Sequence, residues 1–120
     1  MQRTACYGRC PVYSIELNNT GMVTYTAVRF NDDSGVFTKN IGMEKTMNVF
    51  GQFNTYKADT CQDTYTNRIM DLPGIIFTIR YKKHIKKIQN AQFGPPFLKR
   101  LAEIMDENCK KKDDSWTMKK

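Results

Sequence analysis

Apolar and polar residues alternate over 11–17, with Tyr13, Ile15 and Leu17 on one face and Val12, Ser14 and Glu16 on the other. That is the period of a half-buried strand. Asn18-Asn19-Thr20-Gly21 then reads as a hairpin turn, with Gly21 free to take the positive φ such turns need. A second strand is predicted over 22–30, rich in β-branched and aromatic residues. The run Asn31-Asp32-Asp33-Ser34-Gly35 gives another turn and 36–41 a third strand, so the first third of the chain is predicted to be a β-meander.

From Met43 the period changes. Met43, Met47, Phe50 and Phe53 recur at spacings of three and four, which predicts one apolar face of a helix, with Glu44 suited to its N-terminal dipole. The helix is expected to end over 56–61. The stretch 62–74 has weak periodicity and closes on the break Leu72-Pro73-Gly74. A strand over 75–82 follows, with Phe77, Ile79 and Tyr81 sharing a face. Residues 84–93 are its expected hairpin partner. Ile85 and Ile88 fall on opposite faces of a regular strand, so a bulge is expected there. After Gly94-Pro95, Pro96 suits a first helical turn, and Phe97, Leu98, Leu101, Ile104 and Met105 form the stripe of a last helix.

The predicted fold is α+β, in the order β-β-β-α-β-β-α. One antiparallel sheet of about five strands would carry two helices on one face, because each helix has a single apolar stripe to bury. A chain of 120 residues, 40% hydrophobic, fits one globular domain, taken as 1–109. No apolar run is long enough to span a bilayer. No apolar segment behind a basic start precedes the first cysteine, so no signal peptide is read in this chain, and a mature form freed of its leader is expected. Of the formal charge of +7, the segment 110–120 carries +3 through five lysines and two aspartates, leaving an ordinary +4 on the body. That segment is expected to be a basic, solvated tail.

The cysteines carry the sharpest local chemistry. Cys6 and Cys10 bracket Gly8, and two thiols four positions apart can be a disulfide, half a metal site or a redox pair. An extended segment would hold their Cα atoms beyond the roughly 4.4–6.8 Å of a disulfide, so a bridge demands a tight turn, for which Gly8 supplies the freedom. A redox pair lacks an activating environment, since Pro11 leads into a strand and Arg9 is the adjacent cation. Structural zinc would need Cys61, Cys109 or His84 to converge on the pair, and no second short-spaced ligand pair exists. Cys109 lies on the stripe of the last helix and Cys61 just past the first. They are candidates either for a long-range bridge worth roughly 4 kcal/mol or for buried free thiols.

His84, the single histidine, is read as a solvated turn residue, and the sequence shows no motif for a catalytic nucleophile, a phosphate loop or a metal-binding helix. No cofactor is expected. The cluster Arg80, Lys82, Lys83, Lys86 and Lys87 beside Tyr81 is the best candidate binding surface. Its competing explanation is edge protection, since lysines on a hairpin discourage strand-to-strand aggregation.

With these residues in view, the chain resembles an uncharacterised bacterial domain family, one of the domains of unknown function, whose members open with a C-[FY]-G-x-C-P-x-[YF] box and a hairpin. Cys6, Tyr7, Gly8, Cys10, Pro11 and Tyr13 match it, and Tyr65, Asp71-Leu72-Pro73 and the helix-opening Pro95 or Pro96 correspond to later elements. The resemblance covers about residues 3–109. It implies export, often behind a lipoprotein signal, which agrees with an oxidised cysteine pair in the periplasm or at the cell surface. It implies no activity. The chain departs from the pattern at Lys82-Lys83-His84, where a glycine-containing turn is expected.

The expected function is therefore that of a non-enzymatic exported domain that binds another envelope protein or macromolecule. The sheet surface opposite the helices would be the contact, with Arg29, Arg80 and Lys82 as participants. The alternatives are a thiol-disulfide redox or metal-handling protein using Cys6 and Cys10, and a nucleic-acid binder using the basic hairpin.

Overall fold

The structure, a computed structural model, describes residues 1–5, 9–31, 34–65, 74–80, 84–111, 113 and 115–118. Its elements are β1 (Gln2–Arg3), β2 (Val12–Leu17), β3 (Met22–Arg29), β4 (Gly35–Asn40), α1 (Met43–Thr55), β5 (Ile75–Arg80), β6 (Ile85–Ile88), α2 (Pro96–Cys109) and β7 (Thr117–Met118). Short 3-10 turns sit at Ala58–Thr60 and Ala91–Phe93. The strands form one sheet in the order β6-β5-β1-β2-β3-β4-β7, every named pair antiparallel.

The class is α+β with two helices, as the periodicity implies, but the sheet has seven strands rather than about five. The two additional strands are β1 and β7, each of two residues, too short for alternation to register. They also change the order to β-β-β-β-α-β-β-α-β. The segment expected as a solvated tail supplies β7, which pairs with β4, and Trp116 meets Tyr25 edge-on at 6.1 Å.

The meander forms because its turn chemistry and its alternation agree. Asn18 Oδ1 accepts from the amides of Thr20 and Met22 and from the Thr20 hydroxyl, and Gly21 has φ +88°. A Cβ on Gly21 would come within 2.9 Å of Asn40 Oδ1, so both the angle and the space favour glycine. The register sets Ile15 opposite Tyr25 and Tyr25 opposite Phe37 on the inner face. That face joins the buried side chains of both helices in one core. The outer face carries Glu16, Met22 and Thr78, all exposed.

The helices meet this core differently from one another. In α2, Pro96 occupies the first turn, and Leu98, Leu101, Ala102, Ile104, Met105 and Cys109 are buried as the stripe predicts. In α1 the buried residues are Thr46 and Val49, with Phe53 packed against the core, while Met43, Met47 and Phe50 are exposed. The predicted face is thus rotated. Thr46 can be buried because its hydroxyl donates to the Gly42 carbonyl at 2.8 Å, and a polar residue satisfied in this way is invisible to hydropathy.

The second hairpin is shorter than expected. β6 ends at Ile88, and the chain then turns through Ala91–Phe93 instead of continuing as a strand. Its register with β5 runs regularly from Phe77↔Ile88 to Arg80↔Ile85, with no bulge. Ile85 is simply left 60% exposed on the outer face while Ile88 is fully buried.

Candidate functional site

A cleft lies at the middle of the seven-stranded sheet. β1 lies between β2 and β5, and its pairing is short: the amide of Ile15 donates to the Met1 carbonyl and the Met1 amine to the Ile15 carbonyl, both at 2.8 Å. On the other side the Thr4 amide donates to the Gly74 carbonyl at 2.9 Å. β2 continues past this point to Leu17 and β5 to Arg80.

The result is a cleft of about 720 Å³. Strand alternation divides its walls. Leu17, Phe77 and Ile79 belong to the inner face and give an apolar floor, completed from the helices by Phe50, Phe53 and Met105. Glu16, Thr78, Asn18 and Arg80 form a polar rim toward the outer face. Phe53 and Phe77 meet edge-on at 5.4 Å, which fixes the floor against α1. The exposed stripe of α1 adjoins the cleft: Met43 and Met47 are 50% and 67% exposed, and Phe50 belongs to both.

Beside the cleft, one polar network ties β1 and β2 to α2. Asp106 accepts from Arg3 Nε at 3.1 Å, from Arg3 Nη2 at 2.6 Å and from the Tyr13 hydroxyl at 2.5 Å. Burial, reinforced by the Asp106 carboxylate, pushes the Tyr13 phenol well above its ordinary value. Lys110 lies 4.8 Å over the Tyr13 ring. A phenol held protonated and a guanidinium held in an ion pair make a clamp and do not make an acid–base pair.

A family model described as Domain of unknown function (DUF6438) matches residues 1–108. The chain belongs to the DUF6438 family. No curated protein and no solved structure matches it.

Within this DUF6438 chain the cysteines separate into two groups. Cys61 and Cys109 are free and buried, so they do not form the long-range bridge that their positions allowed. Burial pushes the Cys109 thiol up to about 12, which makes it inert. Cys10 is not a free thiol. Cys6, Tyr7 and Gly8 lie outside the described residues, as do Asp71, Pro73, Tyr81, Lys82 and Lys83. Among the described residues no three His, Cys, Asp or Glu side chains are grouped to hold a metal ion.

Among the described residues, the basic side chains of the candidate surface divide between the two faces of the sheet. Lys86 lies on the inner face opposite Ile79 and donates to Asp63 at 2.6 Å, its side chain only 17% exposed. Arg80 and Lys87 share the outer face. Arg29 pairs with Val12 at the far end of β2 and stacks 5.6 Å from the Phe30 ring. The register puts Arg29 and Arg80 about six rows apart along the strands, roughly 20 Å, and three strands apart across them. Of the matched family positions, Pro11 precedes β2 and Tyr13 belongs to the Asp106 clamp. The Tyr65 hydroxyl accepts from the Gln62 amide and the Tyr65 amide donates to the Gln89 carbonyl, both at 3.1 Å. Pro11, Tyr13 and Tyr65 therefore serve architecture, and the cleft is formed by residues that no motif marks.

Proposed function

We propose that this DUF6438 domain is a non-enzymatic binding module, exported to the periplasm or cell surface, that holds another envelope protein or macromolecule. One observation carries the reading: an open cleft with an apolar floor and a polar rim, continuous with an exposed methionine and phenylalanine stripe on α1. Apolar surface of this kind on a small domain is the ordinary mark of a contact site, and methionine side chains adapt readily to a partner. The contact lies at the cleft and its helix edge rather than across the outer sheet face, because Arg29 and Arg80 stand too far apart to act together. Export accords with a Cys6–Cys10 clasp, for which Gly8 supplies the turn and which would close in an oxidising compartment. The buried, free Cys61 and Cys109 give thiol chemistry no second partner pair.

The test is amide-resolved NMR on the intact chain with separate pools of random peptides, envelope oligosaccharides and oligonucleotides. A pool that shifts the amides of Leu17, Phe53, Ile79 and Arg80 together supports the reading. Shifts confined to Arg80 and Lys87 with oligonucleotides, fading steeply with salt, would replace it with nucleic-acid binding.

A further inference from the structure

Independently of the cleft, we propose that the segment 111–118 is a displaceable strap. It occupies a docking groove made by the β4 edge with Tyr25 and Phe37, and an extended basic–aromatic segment of a partner protein takes its place. The strap's described residues, 111, 113 and 115–118, leave α2 at its Lys110 cap and return to β4. Lys111 Nζ lies 5.0 Å over the Phe37 ring, and the Trp116 ring meets that of Tyr25 edge-on at 6.1 Å. Thr117 and Met118 then pair with Thr38 and Phe37 as β7. A cation on a ring, an aromatic anchor and main-chain pairing are the means by which an extended peptide binds the edge of a sheet.

Two observations mark the strap as an occupant of the groove. The first is a contrast in burial. Tyr25 and Phe37 beneath it are 2% and 8% exposed, yet Asp113, Ser115, Thr117 and Met118 are exposed and none of the strap's described residues is buried. Its side-chain bonds to β4 are exposed as well: Lys39 Nζ donates to Ser115 Oγ at 2.7 Å, and Thr38 Oγ1 to the Thr117 carbonyl at 3.5 Å. Among the described residues, β7 pairs with only two of the six residues of β4. Contacts so few and so exposed belong to the low-stability end of a fold, where a segment opens without the rest. The second observation is the extent of the family match. Tyr25, Phe37 and Thr38 lie within residues 1–108 and the strap lies outside them, so the groove belongs to the DUF6438 unit and its occupant does not. The strap also states what a competitor must carry. It needs a cation over Phe37, an aromatic residue five positions on against Tyr25, and a strand-forming residue after it.

The experiment uses the full chain, its Trp116→Ala variant and a capped peptide that repeats residues 111–118, lysine–lysine–aspartate–aspartate–serine–tryptophan–threonine–methionine. In the intact chain the tethered strap competes at an effective concentration on the order of millimolar. The peptide should therefore bind Trp116→Ala about tenfold more tightly than the intact chain, shifting the amides of Tyr25, Phe37 and Thr38. A peptide with alanine for tryptophan should bind about tenfold more weakly than its parent, having lost the aromatic anchor. Thr38 and Thr117 are opposite in register, so an oxidised Thr38→Cys, Thr117→Cys chain should lock the strap and bind no peptide. If Trp116→Ala does not fold, Thr117→Pro opens the strap instead, because it removes a main-chain donor at an exposed position. Equal affinity for the intact, opened and locked chains overturns the proposal, and so does the absence of any shift in both opened variants. A concentration-dependent dimer of the intact chain with the same shifts also overturns it, since the groove then takes the strap of a second copy. Each of these outcomes leaves the reading of the cleft standing.

Discussion

Replacing Asp106 with asparagine tests whether the Arg3–Asp106–Tyr13 network is what fixes the short first strand. The substitution keeps the shape of the side chain and removes its charge. Asparagine can still accept one hydrogen bond through its carbonyl, but its NH2 group then faces a donor, either the Arg3 guanidinium or the Tyr13 hydroxyl. Hydrogen bonds to charged groups are worth about 1.5–3 kcal/mol each. The Arg3 and Asp106 side chains are 21% and 25% exposed, so solvent screening brings this toward about 1–1.5 kcal/mol for each partner. Asp106→Asn should therefore cost about 2–3 kcal/mol, a large share of the stability of a domain this size. The midpoint of thermal unfolding should fall by roughly 10 °C.

Urea unfolding with linear extrapolation measures the loss, and the exposed Arg100–Glu103 pair provides the comparison. Both of its side chains are at least half exposed, so Glu103→Gln should cost far less than Asp106→Asn. A double-mutant cycle with Arg3→Met should show coupling above about 1 kcal/mol, since the two residues share one contact. A loss at Asp106 no larger than that at Glu103, or a coupling near zero, would refute the claim that this clamp holds β1 to α2.

Two further predictions follow from the cysteines. The folded state keeps the Cys109 thiol protonated to about pH 12 while an unfolded chain ionises it near its ordinary 9.0, so the stability it contributes is fully present below about pH 9 and is lost as pH rises toward 12. Between pH 8 and 10.5 the native chain should lose about 2 kcal/mol more than Cys109→Ala, read from urea midpoints, and parallel curves would rule out a buried protonated thiol. Titrated in denaturant without reductant, the four-cysteine chain should expose only the two free thiols Cys61 and Cys109, and all four after reduction. Four reactive thiols before reduction would remove the Cys6–Cys10 clasp and the inference of export that depends on it.

The meander, the two helices and the α2 stripe were legible because each rests on local evidence: alternation, turn residues at the right offsets, or proline in a first turn. Misreadings arose where the deciding contact is distant or polar. Met43, Met47 and Phe50 carry the hydropathy of a buried face, yet burial went to Thr46, whose hydroxyl is satisfied within its own helix. Ile85 has the composition of a strand residue, and the regular register simply leaves it outside. Arg3 and Asp106 are 103 positions apart and belong to no motif, so nothing local marks them as partners. The free state of Cys61 and Cys109, one of the two outcomes their positions left open, was decided by tertiary placement.

The cleft was the least legible feature, and the reason is topological. A binding site made of side chains close in sequence can leave a pattern there, whereas this one is made by β1, β2 and β5 brought together from distant parts of the chain. Two independent facts produce it: β1 enters the middle of the sheet, and β2 and β5, far apart in the chain, come to flank it. Neither of these is a property of any residue in the cleft. Leu17 and Ile79 read as ordinary core positions, and by alternation they are. Substitutions at the half-buried Leu17 and Ile79 should therefore perturb binding more than folding, whereas substitutions at Arg3, Tyr13 and Asp106, which hold β1 and β2 to α2, should perturb both.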